Sequence, residues 1–308
     1  MALLAALVLG TCSGCLPHAL GRPEPAPPLL PCAEAACFRV LTWNVHAIPF
    51  MAPRPSARLR NVAVKIHEQQ PDVVLLQEVW SHAYARQLAR NLGGAYRPVA
   101  ATGCGRPFPC GGLLVLVRIA SGWMPTAPTF VAYDDSAPWY RLAEWDGIAK
   151  KGFLATELVR GGAVIAIVDT HLQAGYARHR RDYSDIRRRQ LDQLASTLAR
   201  RFGGRAVVVG GDFNTAPGEE SGLYESHLAL LGTDRTADLR LACGACGTRP
   251  VMRRPARWLD YVLTRDLPAA AAADRIVNRR VDDPFSDHDA VLVRLEPTAT
   301  APPPAAGR

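Results

Sequence analysis

The 308-residue sequence shows no internal repeat and no interior composition shift that would mark a second domain, which excludes solenoids, propellers and tandem arrays. It also lacks an apolar stretch of membrane-spanning length. The run Met1 to Gly10 is too short for a bilayer-crossing helix, which takes roughly 20 residues. No basic residue precedes that run, although a secretory leader ordinarily opens with one. Aromatic residues make up only 7% of the chain. A second cysteine pair that could converge on Cys243-Gly-Ala-Cys246 is missing too, which argues against a structural zinc site at that spacing.

What is present describes ordinary globular material, with 48% apolar and 21% charged residues, enough to bury a core without a dense disulfide network. Residues 1–15 read as a signal peptide or lipoprotein leader, because Cys12-Ser-Gly-Cys15 resembles a bacterial lipoprotein processing site with Cys15 as the acylated residue. The proline-rich stretch 16–31 reads as an extended linker, 32–296 as one catalytic domain, and 297–308 as a disordered tail. A secreted protein, or one lipid-anchored to a bacterial cell envelope, is therefore expected. Behind the leader, Cys32 with Cys37, Cys104 with Cys110 and Cys243 with Cys246 form an even, locally paired set, for which disulfides are expected. The net charge of +8 biases the surface toward anionic partners such as nucleic acid or acidic lipid. Part of it sits in Arg178, Arg180, Arg181, Arg187, Arg188 and Arg189, a run that fits an anion-binding face or simply the solvated side of a helix.

Short apolar runs alternate with helical patterns. Strands are expected over 38–45, 72–77, 112–117, 153–159, 163–169, 206–210, 259–263 and 290–295, and helices over 58–69, 82–91 and 186–202. Many of these strands are apolar at successive positions and so should be buried on both faces, with helices covering a central pair of sheets. Asn44, Glu78, His171, Asp212, Asp260 and His288 each fall at or just past the end of an apolar run, where strand ends can share one rim. Taken singly, such residues are more often turn or cap residues than ligands.

The ordered set is more specific: Thr42-Trp-Asn44-Val, Leu76-Gln-Glu78-Val, Asp169-Thr-His171-Leu, Gly210-Gly-Asp212-Phe-Asn214, Leu259-Asp260-Tyr-Val and Ser286-Asp287-His288-Asp289-Ala. This succession, over about residues 38–295, resembles the endonuclease/exonuclease/phosphatase superfamily, which includes deoxyribonuclease I-like nucleases, inositol-phosphate phosphatases and sphingomyelinases. The resemblance implies an α/β (α+β) fold, a four-layer αββα sandwich of deoxyribonuclease I type, with the site at one end of the sheets. It also implies metal-dependent phosphodiester hydrolysis. A phosphodiester is anionic, so its charge must be neutralised while a deprotonated water is delivered in line. Glu78 is the expected anchor for Mg²⁺, with Mn²⁺ as a substitute, helped by Asn44 and Asp287. His288 fits a general base, and the resemblance assigns Asp260 to orient it. Asp212 and Asn214 would position water and phosphate, Asn44 a phosphate oxygen, and His171 the pentacoordinate oxygens. His46, His67, His82, His179 and His227 match no motif position and are read as surface or core histidines.

Within the superfamily the sequence leans toward neutral sphingomyelinases. Asn44-Val-His-Ala-Ile-Pro49, Gln77-Glu-Val-Trp80 and Thr170-His-Leu-Gln-Ala174 resemble their segments, and Asp146-Gly-Ile-Ala-Lys-Lys151 looks like their Asp-x₄-Lys motif, whose lysine is thought to reach the substrate phosphate. Aromatics between Gly122 and Trp145, namely Trp123, Phe130, Tyr133, Trp139, Tyr140 and Trp145, suit a lipid interface or a core. The alanine- and arginine-rich segment 267–280 lacks the aromatic hairpin of haemolytic members. The expected partner is a phospholipid at a membrane surface, with nucleic acid as the alternative substrate, and the expected state is a monomer. A non-catalytic lipoprotein module is a third reading, disfavoured by the intact set of polar residues.

Overall fold

In the computed structural model the described residues are 37–297, apart from 50, 51, 53, 105–108, 139, 141–149, 177–181, 220, 244–246, 252, 253, 268, 277, 278, 281, 282 and 285. The leader, the linker and nearly all of the tail lie outside them, as do Arg178, His179, Arg180, Arg181, Trp139, Trp145 and Asp146.

The first sheet contains β1 (Phe38–Ala47), β2 (Val73–Val79), β3 (Tyr96–Val99), β4 (Leu114–Arg118), β14 (Ala269–Ile276) and β17 (Ala290–Pro297), in the order β14-β17-β1-β2-β4-β3. The second contains β5 (Met124–Pro125), β6 (Thr129–Ala132), β7 (Gly152–Arg160), β8 (Ala163–His171), β9 (Ala206–Asp212), β10 (Thr233–Asp234) and β13 (Asp260–Arg265), in the order β10-β13-β9-β8-β7-β5, with β6 also on β7. Two small ribbons, β11 (Arg249–Val251) with β12 (Arg254–Arg257) and β15 (Arg279–Arg280) with β16 (Asp283–Pro284), stand apart. The principal helices are α1 (Pro55–Gln69), α2 (His82–Asn91) and α3 (Ser184–Phe202), followed by the short α4 (Leu223–Ser226) and α5 (Ala237–Cys243).

Successive side chains of a strand point to opposite faces, and the first sheet uses both. Leu41, Trp43, Val45, Val74 and Leu76 pack with Leu59, Val62 and Ile66 of α1 and Leu88 of α2. Val40, Val73, Leu75, Val115 and Val117 belong instead to the inter-sheet core with Leu154, Ile167 and Val208, which also takes in Leu191, Leu194 and Leu198 of α3. The result is a four-layer αββα sandwich. Full burial on both faces explains why β1 and β2 read as continuous apolar runs.

The eight expected strands and three expected helices are all present, with small shifts at their ends. Within the alanine- and arginine-rich segment 267–280, for which no strand was expected, Ala269–Ile276 forms β14, paired along its length with β17. Trp123 and Tyr133 are core residues, 4% and 7% exposed, so they are not lipid-facing; of the described aromatics in that stretch, Tyr140 is the exposed one at 64%. Arg187 is buried in α3 and binds Asp182, whereas Arg188 and Arg189 pair with Asp185 and Asp135 on the surface. Cys104 and Cys110 form a disulfide, and Cys37 is disulfide-bonded as well. Cys32 and Cys246 fall outside the described residues.

Where the two sheets meet beneath the rim, the layer is locally polar and very close. A side chain at Gly210 would strike Leu75 of the other sheet at 2.5 Å, and one at Gly211 would meet the Thr170 carbonyl of the adjacent strand β8, in its own sheet, at 1.9 Å. The Gly-Gly pair before Asp212 is thus required by close approach. Gln77 Nε2 crosses this gap to Asp169 Oδ1 at 2.7 Å and also bonds Thr42 Oγ1 at 3.2 Å. Asp169 is wholly buried, and desolvation raises its pKa well above the usual carboxylate value. The folded chain therefore holds a proton that the unfolded chain releases near pH 3.9, and stability falls as pH rises from there through the folded pKa. Asp169→Asn, which mimics the neutral acid, should be at least as stable as wild type at pH 7 and show a flatter dependence of urea midpoint on pH between 4 and 8. Asp169→Ala should lose about 1–3 kcal/mol through an unmet buried donor. A steeper pH dependence in the asparagine variant would refute the neutral-acid assignment.

Candidate active site

Register alone lines up half of the polar set. In the second sheet His171 pairs with Asp212 across β8 and β9, and Asp212 pairs with Asp260 across β9 and β13. In the first, Asn44 pairs with Gln77, which places Glu78 beside it at the end of β2, and His288 lies just before β17, the other neighbour of β1. Trp43 Nε1 donates to the His288 carbonyl at 3.1 Å, and Ser286 Oγ donates to the Asn44 carbonyl at 2.5 Å, so the final motif is stitched to β1.

Asp212 is the centre of the arrangement. Its Oδ2 accepts from Asn44 Nδ2 at 3.0 Å and lies 3.4 Å from His171 Nε2 and 3.6 Å from His288 Nε2. Burial alone would raise its pKa, but the charges of His288, His171 and Lys151 together with the Asn44 bond bring it below the ordinary value. Asp212 is therefore an ionised carboxylate in a dry setting.

His288 Nδ1 is 2.8 Å from Asp260 Oδ2, which leaves Nε2 facing Asp212. Desolvation works against the imidazolium, yet Asp260 and Asp212 outweigh it and push the His288 pKa up to about 10. The two carboxylates that face the ring thus favour the imidazolium over the neutral imidazole. Asp212, Asp260 and His288 offer ligand atoms within 4.8 Å of one another, but the short Asp260–His288 bond makes them an acid/base relay first.

The opposite wall carries donors. Lys151 is 1% exposed; its Nζ lies 2.7 Å from His171 Nε2 and donates to the Leu172 carbonyl at 2.9 Å. Asn214 Nδ2 donates to the same carbonyl at 3.1 Å, and its backbone N–H donates to Asp212 Oδ1 at 2.9 Å. Lysine and asparagine are thus tied side by side at the floor.

At the mouth, Glu78 Oε1 accepts from Asn44 Nδ2 at 3.0 Å and Oε2 is 3.1 Å from His46 Nδ1. Burial would raise the Glu78 pKa, but the His46 bond, the charges of His171 and His46, and Asn44 hold it well below the usual range. Asp287, 38% exposed at its side chain, lies 3.6 Å from His46 Nδ1 and 3.3 Å from Arg249 Nη2. His46 and Arg249 are site residues that motif reasoning passed over. His46 had a signal, its position two residues after Asn44, but a bulge in β1 between Asn44 and Ala47 is what turns it inward. Arg249, on the β11–β12 ribbon, had none.

The structure thus gathers all of the expected residues, Asn44, Glu78, Lys151, His171, Asp212, Asn214, Asp260, Asp287 and His288, into one rim. Such a set, two ionised carboxylates beside a buried His–Asp relay and a buried lysine, suits hydrolysis of an anionic ester. The model of the Endonuclease/Exonuclease/phosphatase family matches residues 41–288, and the chain belongs to this family. It is similar to a Drosophila melanogaster protein assigned as a neutral sphingomyelinase, at 24% identity over 280 residues, 84% of this chain and 60% of that protein. It is also similar to the inositol phosphosphingolipids phospholipase C of Schizosaccharomyces pombe, at 29% over 188 residues, 60% of this chain and 42% of that one. The chain therefore spans less than two thirds of either relative. Among solved structures, D. rerio TDP2 complexed with a single-strand DNA product aligns at TM-score 0.65 and 16% identity, covering 84% of this chain and 99% of that chain. Beta toxin from Staphylococcus aureus, a double mutant with bound magnesium ions, aligns at 0.63 and 14%, covering 83% and 98%. These two likenesses establish the fold.

Proposed function

We propose that the chain is a divalent-cation-dependent phosphodiesterase that hydrolyses sphingomyelin to ceramide and phosphocholine. The observation that carries the lipid reading is Lys151, buried against His171 and Leu172 where a substrate phosphate would sit, at the lysine position of the Asp-x₄-Lys segment. The names of the two relatives add support.

The donor set fits a hard divalent cation, since Glu78 is an ionised, largely buried carboxylate with Asp287 close by at the mouth. When bound there, the ion supplies Lewis-acid neutralisation of phosphate charge. The chain's own groups supply the rest. Lys151, Asn214 and His171 receive the non-bridging phosphoryl oxygens. Asp212, ionised and buried, takes a proton from the attacking water as the water oxygen bonds phosphorus. His288, kept as imidazolium by Asp260, gives its Nε2 proton to the ceramide oxygen as the bond between that oxygen and phosphorus breaks, a general-acid role where the motif suggested a general base.

Net charge does not choose the substrate, because a field screened over about 8–10 Å draws DNA and anionic membranes alike. Purified protein with Mg²⁺ at ~0.15 M salt should release phosphocholine from sphingomyelin in mixed micelles and leave plasmid DNA largely intact, and Lys151→Ala should lose most of that release. Efficient DNA cleavage with untouched sphingomyelin would transfer the site to the nuclease alternative.

A further inference from the structure

Three side chains able to hold a cation stand at the mouth, His46 on β1, Glu78 on β2 and Asp287 on the segment ahead of β17. His46 Nδ1 lies between the two carboxylates, 3.1 Å from Glu78 Oε2 and 3.6 Å from Asp287 Oδ1. The backbone is shaped to put it there. His46 adopts φ +45°, a left-handed conformation rare for a residue with a Cβ, and Glu78 does the same at φ +60°. The His46 conformation is held from both sides, since its N–H donates to Asn44 Oδ1 at 3.1 Å and its carbonyl accepts from Arg58, itself 3% exposed. Those bonds also decide what Asn44 offers. Its oxygen serves the His46 N–H while its Nδ2 spans Glu78 and Asp212, so the amide turns a nitrogen donor, not an oxygen ligand, toward the carboxylates.

We infer that His46 is a protein ligand of the divalent cation, with Glu78 and Asp287, and that its imidazole shifts the preference of this site from Mg²⁺ toward softer first-row ions such as Co²⁺. The inference rests on the cation reading above and deepens it. An all-oxygen mouth suits Mg²⁺, whereas one imidazole among the ligands adds affinity for cobalt and zinc that magnesium does not share.

The test is metal binding by the full-length protein. Calorimetry should give a Co²⁺-to-Mg²⁺ affinity ratio that falls about tenfold or more in His46→Asn, asparagine being chosen because it tolerates left-handed φ and offers an oxygen in place of nitrogen. Proton NMR of the wild-type Co²⁺ complex should show hyperfine-shifted imidazole signals, one set of which disappears in His46→Asn. Glu78→Gln serves as the site control and should weaken both ions. Co²⁺ binding that depends on Glu78, yet shows no shifted imidazole set attributable to His46 or an unchanged affinity ratio in His46→Asn, overturns the His46 assignment and leaves the cation reading standing. A wild-type protein that binds neither ion overturns both.

Discussion

Replacing His288 by alanine should lower kcat by about 10² to 10⁴, the range for a lost proton-handling group, with a much smaller change in KM. The ring is fully enclosed, 2.8 Å from Asp260 and 3.6 Å from Asp212, so alanine leaves two buried carboxylates without their shared cation. Its form at neutral pH matters as much as its presence. Because the imidazolium is the working state, activity should persist below the raised pKa of His288 and fall as pH rises through it. Asp260 is the largest of the influences that raise that pKa, so Asp260→Asn should move the alkaline limb toward the ordinary histidine value of about 6.5. A base would behave oppositely, with activity rising as the ring deprotonates. A neutral-pH rate that climbs through the His288 pKa, or an alanine variant close to wild type, would remove the imidazolium from the mechanism.

Glu78→Gln should reduce kcat/KM by about 10² or more and leave a residual rate that chelator no longer affects. The substitution keeps the shape of the side chain but removes the fixed negative charge on which cation binding depends, and a Lewis acid is worth several kcal/mol to phosphoryl chemistry, at 1.36 kcal/mol per tenfold. Excess Mg²⁺ should restore wild-type turnover after chelation but not rescue the variant. If Glu78→Gln turned over normally in chelator, the reaction would not need the cation and the reading of the mouth would fail. Both rates can be measured on the same micellar substrate, with melting curves to show that each variant is folded.

Much of the fold was legible because buried strands of a sandwich are apolar on consecutive residues, as in Val73–Leu76 and Val207–Val209, a signal independent of how the sheets are ordered. β14 was not, since Ala269–Ala273 lacks the branched and aromatic residues that mark strands and owes its conformation to pairing with β17. The site was legible as a list, because most of its members recur in six ordered motifs at the ends of apolar runs. Its electrostatics were not. Whether His288 is neutral depends on two carboxylates brought within reach from β9 and β13, separations of 76 and 28 residues that no local pattern reports. His46 was missed because alternation along a regular strand cannot foresee a bulge, and the aromatics of 123–133 were ambiguous because composition does not tell a core ring from a surface one.

The groups that do the chemistry are divided between two sheets that touch only through their side chains. Asn44 and Glu78 come with one layer, His171, Asp212 and Asp260 with the other, and the Gly210–Leu75 approach and the Gln77–Asp169 bond set the distance between them. Neither layer holds a working half. A nascent or partly assembled chain, with every strand formed but the layers apart, has no Asp212 beside Asn44 and no His288 beside Asp260. The complete site is therefore a property of the docked sandwich alone, and any change that parts the two layers would dismantle it without disturbing a single strand.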